Sequence, residues 1–355
     1  MAYVTLDSKK LDANYKYLSD LFKKHNIDWA PVTKLLCGNT LLMKEVLKHN
    51  PSEVCDARLS NLILVKQLNP KVKTVYIKPP AKEIIEDVVR FADASLNSSF
   101  TTIKELSNEA VKQNKEHHVI IMIELGDLRE GIMGDRLVSF YEKIFKLPNI
   151  KITGLGANLN CLYGVMPSED KLIQLSLYKQ LLEAKFNVKI PWVTGGTSVV
   201  LPLLLSQRLP AGINHFRIGE TLYFGADLVA GNTIEGMHDD VFKLFAQVIE
   251  ITEKPKVPTG NLDNNPSGEM YEINEEDYGA TAERMILDVG LLDLSPDFVK
   301  PKDDQLTISG ASSDMLVLEI EGNSDYKVGD FVEFEMKYMG ALRLFNSDYI
   351  EKRVV

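Results

Sequence analysis

The feature that most constrains the fold of this chain is a regular alternation of short apolar segments with amphipathic ones from residue 9 to about residue 225. The segments between the apolar ones, such as "NTLLMKEVLKHN" (39–50), repeat apolar residues at helical spacing. Eight strands that alternate with helices predict an α/β fold, a (β/α)8 TIM-like barrel. The eight segments with the length and composition of buried strands are "WAPVT" (29–33), "EVCDA" (53–57), "KTVYI" (73–77), "DASLN" (93–97), "VIIMIEL" (119–125), "KITGLGANL" (151–159), "IPWVT" (190–194) and "HFRIGE" (215–220).

A doubly wound open sheet is the alternative fold for this pattern. Such a sheet usually carries a G-x-G-x-x-G turn after an early strand, where a dinucleotide binds. No early strand of this chain leads into that turn, so the barrel is the preferred prediction.

The pattern changes after about residue 235. The segment 241–251 is typical of a strand, and 252–270 is rich in Pro, Gly and Asn, which indicates a long loop. The rest of the chain consists of strand-like runs separated by turns, with no convincing helix. We therefore predict two domains, a barrel over 9–235 and an all-β domain over 236–355, which an N-terminal strand at 2–8 would join.

Composition and charge narrow the partners and the compartment. A net charge of −10 with no long basic run argues against nucleic acid. No apolar run approaches the ~20 residues of a membrane-spanning helix. Cys37, Cys55 and Cys161 form no C-x-x-C pair and no apolar signal region opens the chain, which together indicate a reducing cytoplasm. The histidines are scattered, so no metal site is predicted.

Polar residues stand at the ends of five predicted strands. In a barrel of this type the catalytic groups lie at the carboxyl ends of the strands, where the loops to the helices meet. These residues therefore predict one site at one end of the barrel. They are Lys34, Arg129 in "GDLREG" (126–131), Asn158, Asn160, the turn "TGGTS" (194–198), Arg217 and Gly219.

The turn 194–198 is the clearest candidate for a phosphate site. Its two glycines would let the backbone approach a ligand closely. The hydroxyls of Thr197 and Ser198 stand where the next helix begins, and the N–H groups at a helix start favour an anion. Barrels often hold phosphate near the loops after strands 7 and 8. The alternative is a tight turn with a Ser or Thr helix cap.

Lys34 and Arg217 suggest what such a phosphate belongs to. At the end of an inward-facing strand, desolvation would disfavour the charged form of Lys34, and a neutral amine can attack a carbonyl. With a phosphate cradle, this indicates pyridoxal phosphate with Lys34 as the partner of its aldehyde. Arg217 would donate a hydrogen bond to the pyridine nitrogen without accepting its proton, which favours simple removal and return of an α-proton. A structural ion pair is the alternative for Arg217.

The order and spacing of these residues resemble the fold-type III pyridoxal-phosphate enzymes, the alanine racemase superfamily. The resemblance covers nearly the whole chain, and within the superfamily it is strongest to the ornithine racemase-like branch. Five motifs support it: "PVTKLLCGN" (31–39), "NLNCLYGVMPS" (158–168), "GGTS" (195–198), "FRIGETLYFG" (216–225) and "GASSDMLVLEI" (310–320).

The resemblance implies a role for each site residue. Lys34 would form the internal aldimine and act as one of two α-proton bases, and Arg129 would contact the phenolic oxygen of the cofactor. Ser313 and Asp314 would meet the substrate at the interface of a homodimer. The cofactor-binding set would be Lys34, Asn158 against the pyridine ring, Arg217 at the ring nitrogen, Gly196, Thr197, Ser198, Gly219 and Glu220 around the phosphate, and Tyr338.

The second catalytic base is where this sequence departs from the family. Leu291, in "DVGLLDL" (288–294), stands where alanine racemases place a tyrosine from the partner subunit. Cys161 is the predicted replacement, because a thiol with a lowered pKa can exchange protons. An inert core cysteine is the alternative, and Tyr163, Asp293 and Tyr338 remain open for the same role.

The sequence therefore predicts a pyridoxal-phosphate racemase of a free amino acid, with ornithine or another basic amino acid as substrate. A decarboxylase, aldolase or dehydratase on the same scaffold is the second hypothesis. A non-catalytic carrier of pyridoxal phosphate is the third, and the additional β domain argues against it. A substrate amine would need a carboxylate near the barrel mouth, and the candidates are Glu124, Asp127, Glu130, Asp293 and Asp314.

Overall fold

A computed structural model describes residues 2–264, 268, 270–322 and 324–355 of the 355-residue chain. The chain divides into two compact units. One comprises Asp7–Val241 with Val354, and the other comprises the chain up to Leu6 together with Phe242–Arg353 and Val355. Among the described residues, no helix is both long enough and apolar enough to cross a membrane.

Strands and helices alternate over the first two thirds of the chain, and strands predominate after it. The strands are β1 (Tyr3–Leu6), β2 (Asp28–Pro31), β3 (Glu53–Asp56), β4 (Lys73–Tyr76), β5 (Ala94–Asn97), β6 (His117–Met122), β7 (Ile150–Gly156), β8 (Trp192–Thr194), β9 (Gly196–Thr197), β10 (His215–Ile218), β11 (Ala226–Asp227), β12 (Asn232–Thr233), β13 (Phe242–Pro255), β14 (Thr281–Leu287), β15 (Val299–Pro301), β16 (Leu306–Ala311), β17 (Leu316–Ile320), β18 (Phe331–Met336) and β19 (Glu351–Val354). The helices are α1 (Ser8–Lys24), α2 (Thr40–Leu47), α3 (Leu59–Leu68), α4 (Ile85–Phe91), α5 (Phe100–Lys112), α6 (Leu137–Ile144), α7 (Glu169–Phe186), α8 (Leu201–Leu205), α9 (Glu220–Phe224) and α10 (Tyr338–Asn346).

Parallel strands form the frame of the first unit. β3 to β8 pair in chain order, and every pair is parallel. β10 pairs in parallel with β2 and β9, and a bridge between Val32 and Cys55 joins the end of the β2 segment to β3. Because all of these pairs are parallel, the carboxyl ends of the strands lie at one edge. Each of the eight predicted strand segments overlaps an observed strand, so the α/β alternation is confirmed.

The core of the first unit is apolar because its parallel strands are buried on both faces. Asp7 precedes α1, and its carboxylate accepts the backbone amides of Lys9 and Lys10 and caps the helix. Phe22 of α1 packs against Phe216 of β10, with ring centroids 5.0 Å apart. This contact packs α1 against β10, one of the strands that carry the site. A further buried cluster comprises Ala30, Val32, Cys55, Val75, Ala94, Leu96, Ile120 and Met122.

Antiparallel strands form the second unit, in the order β15–β18–β13–β14–β17–β16. β1 pairs with β13, with Tyr3 opposite Phe245 and Leu6 opposite Phe242, and β1 also pairs with β19. Buried and half-buried residues alternate along the first half of β13, as expected for a strand with one face on a core. The first and the last strand of the chain therefore belong to one sheet.

The expectation of a second domain without helices is wrong. α10 is a nine-residue helix whose buried residues include Ala341, Leu344 and Phe345 at helical spacing. Gly340 of this helix is also buried, and a Cβ there would come within 2.6 Å of the Phe298 carbonyl oxygen. The helix can approach that backbone only because residue 340 has no side chain.

The predicted loop at 252–270 begins later than expected. β13 continues to Pro255 and pairs with β14 as far as Thr281. Residues 265–267 and 269 of the predicted loop lie outside the described residues.

Candidate active site

Lys34 begins a 3-10 turn directly after the β2 segment. Its neighbour Thr33 is fully buried and donates a 2.7 Å hydrogen bond from its hydroxyl to the Asp56 carboxylate. Asp56 also accepts from the side-chain amide of Asn61, at 3.1 and 3.2 Å. Gly38 has a φ of +73°, and a Cβ there would lie 2.7 Å from Asn61 Oδ1. A buried carboxylate thus holds the turn that carries Lys34.

The Lys34 side chain is exposed, which corrects one step of the sequence argument. We expected burial at the strand end to disfavour its charged form, and the structure places no such burial around it. Glu220 lies close enough to interact with its charge. Burial raises the pKa of the Glu220 carboxyl group, and the Lys34 charge opposes that rise. Lys34 remains accessible to a carbonyl compound that enters from solvent.

Arg217 is the buried cation of the site, with 4% of its surface exposed. Nη1 donates to the Thr194 carbonyl oxygen at 2.8 Å and also to the Thr194 hydroxyl. Nη2 donates to the Ala157 carbonyl oxygen at 3.2 Å and to Asn158 Oδ1 at 2.6 Å. Within the described part of the chain, Nε donates to no residue. Burial lowers the pKa of Arg217, but an arginine starts from ~12 or above and stays charged at neutral pH.

Asn158 connects Arg217 to a carboxylate. Its side-chain oxygen accepts from Arg217, and its side-chain amide donates to Glu130 Oε1. Glu130 also pairs with its neighbour Arg129, through Nε and through a 2.8 Å bond from Nη2. The hydrogen bond with Glu130 raises the pKa of Arg129. Arg129, Asn158 and Arg217 therefore belong to one chain of hydrogen bonds, and Glu130, predicted only as a substrate-binding candidate, joins two of them.

Side-chain packing requires the glycines of the turn 194–198, a reason that the sequence did not reveal. A Cβ on Gly196 would come within 2.2–2.4 Å of three ring atoms of Phe216. A Cβ on Gly195 would come within 2.9 Å of Leu175. Both positions face neighbouring side chains of the same unit.

The other predicted phosphate residues lie on two neighbouring turns. β9, which contains Thr197, pairs with β10, and Ser198 Oγ accepts the backbone amide of Thr221 at 3.3 Å. Gly219 and Glu220 stand at the start of α9. The helix after Ser198 is a 3-10 turn continued by the five residues of α8, so its dipole is smaller than we expected.

Asp127 organises the loop after β7. It is 2% exposed, and its carboxylate accepts the backbone amides of Cys161, Leu162, Tyr163 and Val165 at 2.9–3.3 Å. Burial alone would raise the pKa of Asp127, but these four hydrogen bonds outweigh it, and the pKa is lowered. Because its oxygens are occupied by the loop, Asp127 is a structural carboxylate and no longer a candidate for a substrate amine.

Cys161 does not have the properties expected of a second base. Partial burial of its thiol raises its pKa, and the nearby Arg129 charge only opposes that rise. The expectation of a lowered pKa is therefore wrong. The alternative of a core cysteine is also wrong, because Cys161 is exposed.

The remaining carboxylate candidates differ in how they are engaged. Glu124 accepts two backbone amides of the loop that follows it, those of Gly126 at 2.5 Å and Leu128 at 3.1 Å. Asp293 accepts the Ser347 hydroxyl at 2.5 Å. Asp314 is exposed.

In the second unit, the predicted substrate residues lie beside the segment that departs from the family. Ser313 and Asp314 are exposed in the turn between β16 and β17. The segment 288–294 packs on this turn, and the Leu292 amide donates to the Ser313 carbonyl oxygen at 3.0 Å. Tyr338 is the first residue of α10 in the same unit.

Sequence reasoning missed the buried polar groups behind the site. Thr194 was noted only as part of a turn, Glu53 was not singled out, and His215 was counted only among scattered histidines. All three are nonetheless buried. The signal that marks them is a polar residue inside an otherwise apolar strand segment.

Comparisons with known proteins agree on one family. The family model "Alanine racemase, N-terminal domain" matches residues 6–227. An ornithine racemase from Acetoanaerobium sticklandii is 38% identical over 354 residues, 99% of each chain. A lysine racemase from Thermotoga maritima is 28% identical over 348 residues, 98% of this chain and 96% of that protein.

A solved structure shares the fold. An alanine racemase from Bartonella henselae with covalently bound pyridoxal phosphate has a TM-score of 0.74 and 17% identity, with 100% of this chain and 99% of that chain covered. These matches confirm the predicted family. The chain therefore belongs to the alanine racemase family of fold-type III pyridoxal-phosphate racemases.

Proposed function

We propose that this chain interconverts the L and D forms of a free basic amino acid, with ornithine as the preferred substrate, and that it binds pyridoxal phosphate at Lys34. The observation that carries the proposal is the 38% identity to an ornithine racemase over 99% of both chains. The similarity to a lysine racemase supports a substrate with a side-chain amine.

The donors of Arg217 fit the pyridine ring of the cofactor. Its two terminal nitrogens are occupied by Thr194, Ala157 and Asn158, which leaves the Nε–H group for a ring nitrogen. A guanidinium donates hydrogen bonds and does not accept a proton, so it would keep that nitrogen unprotonated. An unprotonated ring withdraws electrons less strongly, which favours removal and return of a proton over reactions that need a long-lived carbanion.

The other residues would hold the rest of the group. When bound, pyridoxal phosphate supplies an aldehyde that condenses with amines and a ring that withdraws electrons from the Cα–H bond of the substrate. Arg129 would contact the phenolic oxygen, and Asn158 would lie against the ring. The residues that we place around the phosphate or at the edge of the cofactor are Gly196, Thr197, Ser198, the backbone of Gly219 and Glu220, and Tyr338.

Lys34 Nζ would accept the α-proton from one face of the substrate carbon when one enantiomer reacts, and would donate a proton to that face when the other enantiomer reacts. Racemisation also needs a proton-transfer group on the opposite face of the substrate carbon. We propose that this group is one of Tyr163, Asp293 and Tyr338, the residues that the sequence left open for this role.

We further propose that the strands of the first unit close into a (β/α)8 barrel within a domain over 9–235. Hydrogen bonds between Val193 and Asn214, at 2.8 and 3.4 Å, join the β8 segment to the start of β10 and support closure. The residues 236–355 would form the second domain together with the strand at 2–8. The family resemblance supports a homodimer with its active sites at the interface, and the sparse, odd number of cysteines suits a reducing cytoplasm.

A racemisation assay in deuterated water tests the proposal. Purified protein, pyridoxal phosphate and L-ornithine should give D-ornithine that carries deuterium at the α-carbon. Chiral chromatography over a panel of amino acids should rank ornithine first and lysine near it. Release of carbon dioxide or an aldehyde would instead favour a decarboxylase or an aldolase.

A matched pair of lysine variants assigns the reaction to the site. Lys34→Ala should abolish racemisation, whereas Lys44→Ala, an exposed lysine of α2, should retain it. Full activity in the Lys34→Ala variant would exclude the proposed chemistry.

A further inference from the structure

We propose that Glu53 and His215 are positioning residues that set the orientation of Arg217 through the Thr194 hydroxyl. Both side chains are buried inside the first unit, with 4% and 1% exposed. Glu53 is the first residue of β3 and His215 the first residue of β10, two residues before Arg217. The reaction proposed above assigns neither of them a role, and the inference rests on the role that it assigns to Arg217.

The contacts form a continuous line from the carboxylate to the guanidinium. His215 Nε2 lies 3.2 Å from Glu53 Oε1, and His215 Nδ1 lies 2.8 Å from Thr194 Oγ1. Arg217 Nη1 donates to the same Thr194 oxygen. Arg217 continues the line to Asn158.

Donor and acceptor chemistry gives this line one direction. An ionised carboxylate only accepts hydrogen bonds, so Nε2 of His215 must carry a proton toward Glu53. In the neutral ring, Nδ1 is then an acceptor and receives the Thr194 hydroxyl proton. The lone pairs of Thr194 Oγ1 consequently face Arg217, which can only donate.

The plane of the His215 ring is fixed as well. The Trp192 ring stacks on it at a centroid distance of 4.6 Å and an interplanar angle of 22°. The imidazole therefore keeps one edge toward Glu53 and the other toward Thr194. If residue 53 had no acceptor oxygen, the His215 ring could adopt the other tautomer, in which the proton on Nδ1 points toward Thr194 Oγ1. The hydroxyl would then lose its orienting partner, and Arg217 would lose a well-defined acceptor.

The tautomer of His215 is the first test, and it needs no cofactor. Nitrogen-15 spectra of histidine-labelled, cofactor-free protein should show a neutral ring protonated at Nε2. The signal is assigned by its absence in His215→Phe, which retains a ring beside Trp192. A ring protonated at Nδ1, or at both nitrogens, overturns the inference.

Cofactor affinity is the second test, measured by equilibrium dialysis against pyridoxal phosphate. Glu53→Leu and His215→Phe should each raise the dissociation constant about tenfold, the size expected for one charge-assisted hydrogen bond. Glu53→Gln keeps an oxygen that can accept from Nε2, so it should stay within about twofold of the unaltered protein, a change of less than ~0.5 kcal/mol.

His117→Phe is the matched control for loss of a buried histidine. His117 is also 1% exposed in the first unit, and its bonded partner is Ser95, at 2.8 Å. This variant should lose stability like His215→Phe but keep its cofactor affinity. Equal affinity losses in both histidine variants, or in Glu53→Leu and Glu53→Gln, would show a general packing effect and overturn the inference.

The two tests separate this inference from the proposed function. If the unaltered protein binds no pyridoxal phosphate, the proposed function fails, and the tautomer alone decides the arrangement of Glu53, His215 and Thr194. If the protein binds the cofactor and Glu53→Leu binds it equally well, only the inference fails. Should a variant not fold, the tautomer in the unaltered protein still decides.

Discussion

Carboxylates that accept several hydrogen bonds organise the residues of this site. Asp56 holds the turn of Lys34, Asp127 holds the loop after β7, and Glu130 joins two of the predicted cofactor contacts. Asp56 and Asp127 are buried and Glu130 is half-buried, and each accepts several hydrogen bonds, as a charge removed from water requires. The polar residues of the site were predictable from their positions at or near strand ends, because the strands can be recognised in the sequence. The roles of the carboxylates were not predictable, since their hydrogen-bond partners come from segments that only the fold brings together.

Asp127→Asn should destabilise the protein by about 2–4 kcal/mol near neutral pH, because an amide offers one oxygen to four backbone donors and turns its NH2 group toward some of them. The folded pKa of Asp127 is lowered, so its contribution is complete above the unfolded value of ~3.9 and is lost as the pH falls through the folded pKa. In urea unfolding, the difference in the free energy of unfolding between the unaltered protein and Asp127→Asn should therefore be largest near neutral pH and should decrease in acid.

The control for this variant is Asp135→Asn, which replaces an exposed carboxylate shortly after the Asp127 loop. It should change the unfolding midpoint little. An unchanged midpoint in Asp127→Asn would mean that its four hydrogen bonds contribute nothing net.

Alkylation by iodoacetamide should report the raised pKa of Cys161. A thiol reacts as the thiolate, so its rate should reach half of its maximum above the ordinary value of ~8.5. Mass spectrometry of a Cys37→Ser variant follows Cys161 alone, because Cys55 is buried. A half-maximal rate near or below neutral pH would restore Cys161 as a candidate base.

At the scale of elements, periodicity located the strands of the first unit but not the last helix. Short apolar runs bounded by polar turns identified eight of the nine described parallel strands, and the two-residue β9 was interpreted as part of a turn. α10 was missed although Ala341, Leu344 and Phe345 have helical spacing, because Gly340 lowers helix propensity by about 1 kcal/mol. That glycine is required by the close approach to Phe298, a tertiary contact with no local signal. Interactions between distant strands, such as Glu53 with His215, are equally invisible before the strands are paired.

Gly196→Ala should destabilise the pairing of β9 with β10 by about 1–3 kcal/mol or more, because the new methyl group would overlap the Phe216 ring. The loss should be the same with and without pyridoxal phosphate, as measured by thermal unfolding. Combining it with Phe216→Leu should recover part of the loss. A defect that appears only in cofactor binding would restore ligand approach as the reason for this glycine.

At the scale of the whole molecule, two compact units divide the chain, and the N-terminal strand belongs to the one built from the C-terminal third. Leu6 of β1 is fully buried there. Its backbone carbonyl accepts the Val355 amide at 2.9 Å.

Leu6→Ala should reduce the stability of the second unit by about 2–5 kcal/mol through the cavity it leaves. Hydrogen exchange should accelerate along β13 and β18 while β3 to β7 keep their protection. Lys9→Ala, which replaces an exposed residue of α1, is the control. Uniform acceleration over the whole chain would indicate that the two units unfold together.

The pairing of β1 with β13 and β19 also sets an order of assembly in the cell. β1 is translated before its partners β13 and β19, which both follow Val241 in the chain. At roughly 5–20 residues per second, the nascent strand waits on the order of ten seconds or longer with an unpaired edge. Moving this strand to a position after β19, with a short linker between them, should shorten that exposure and leave the folded sheet unchanged.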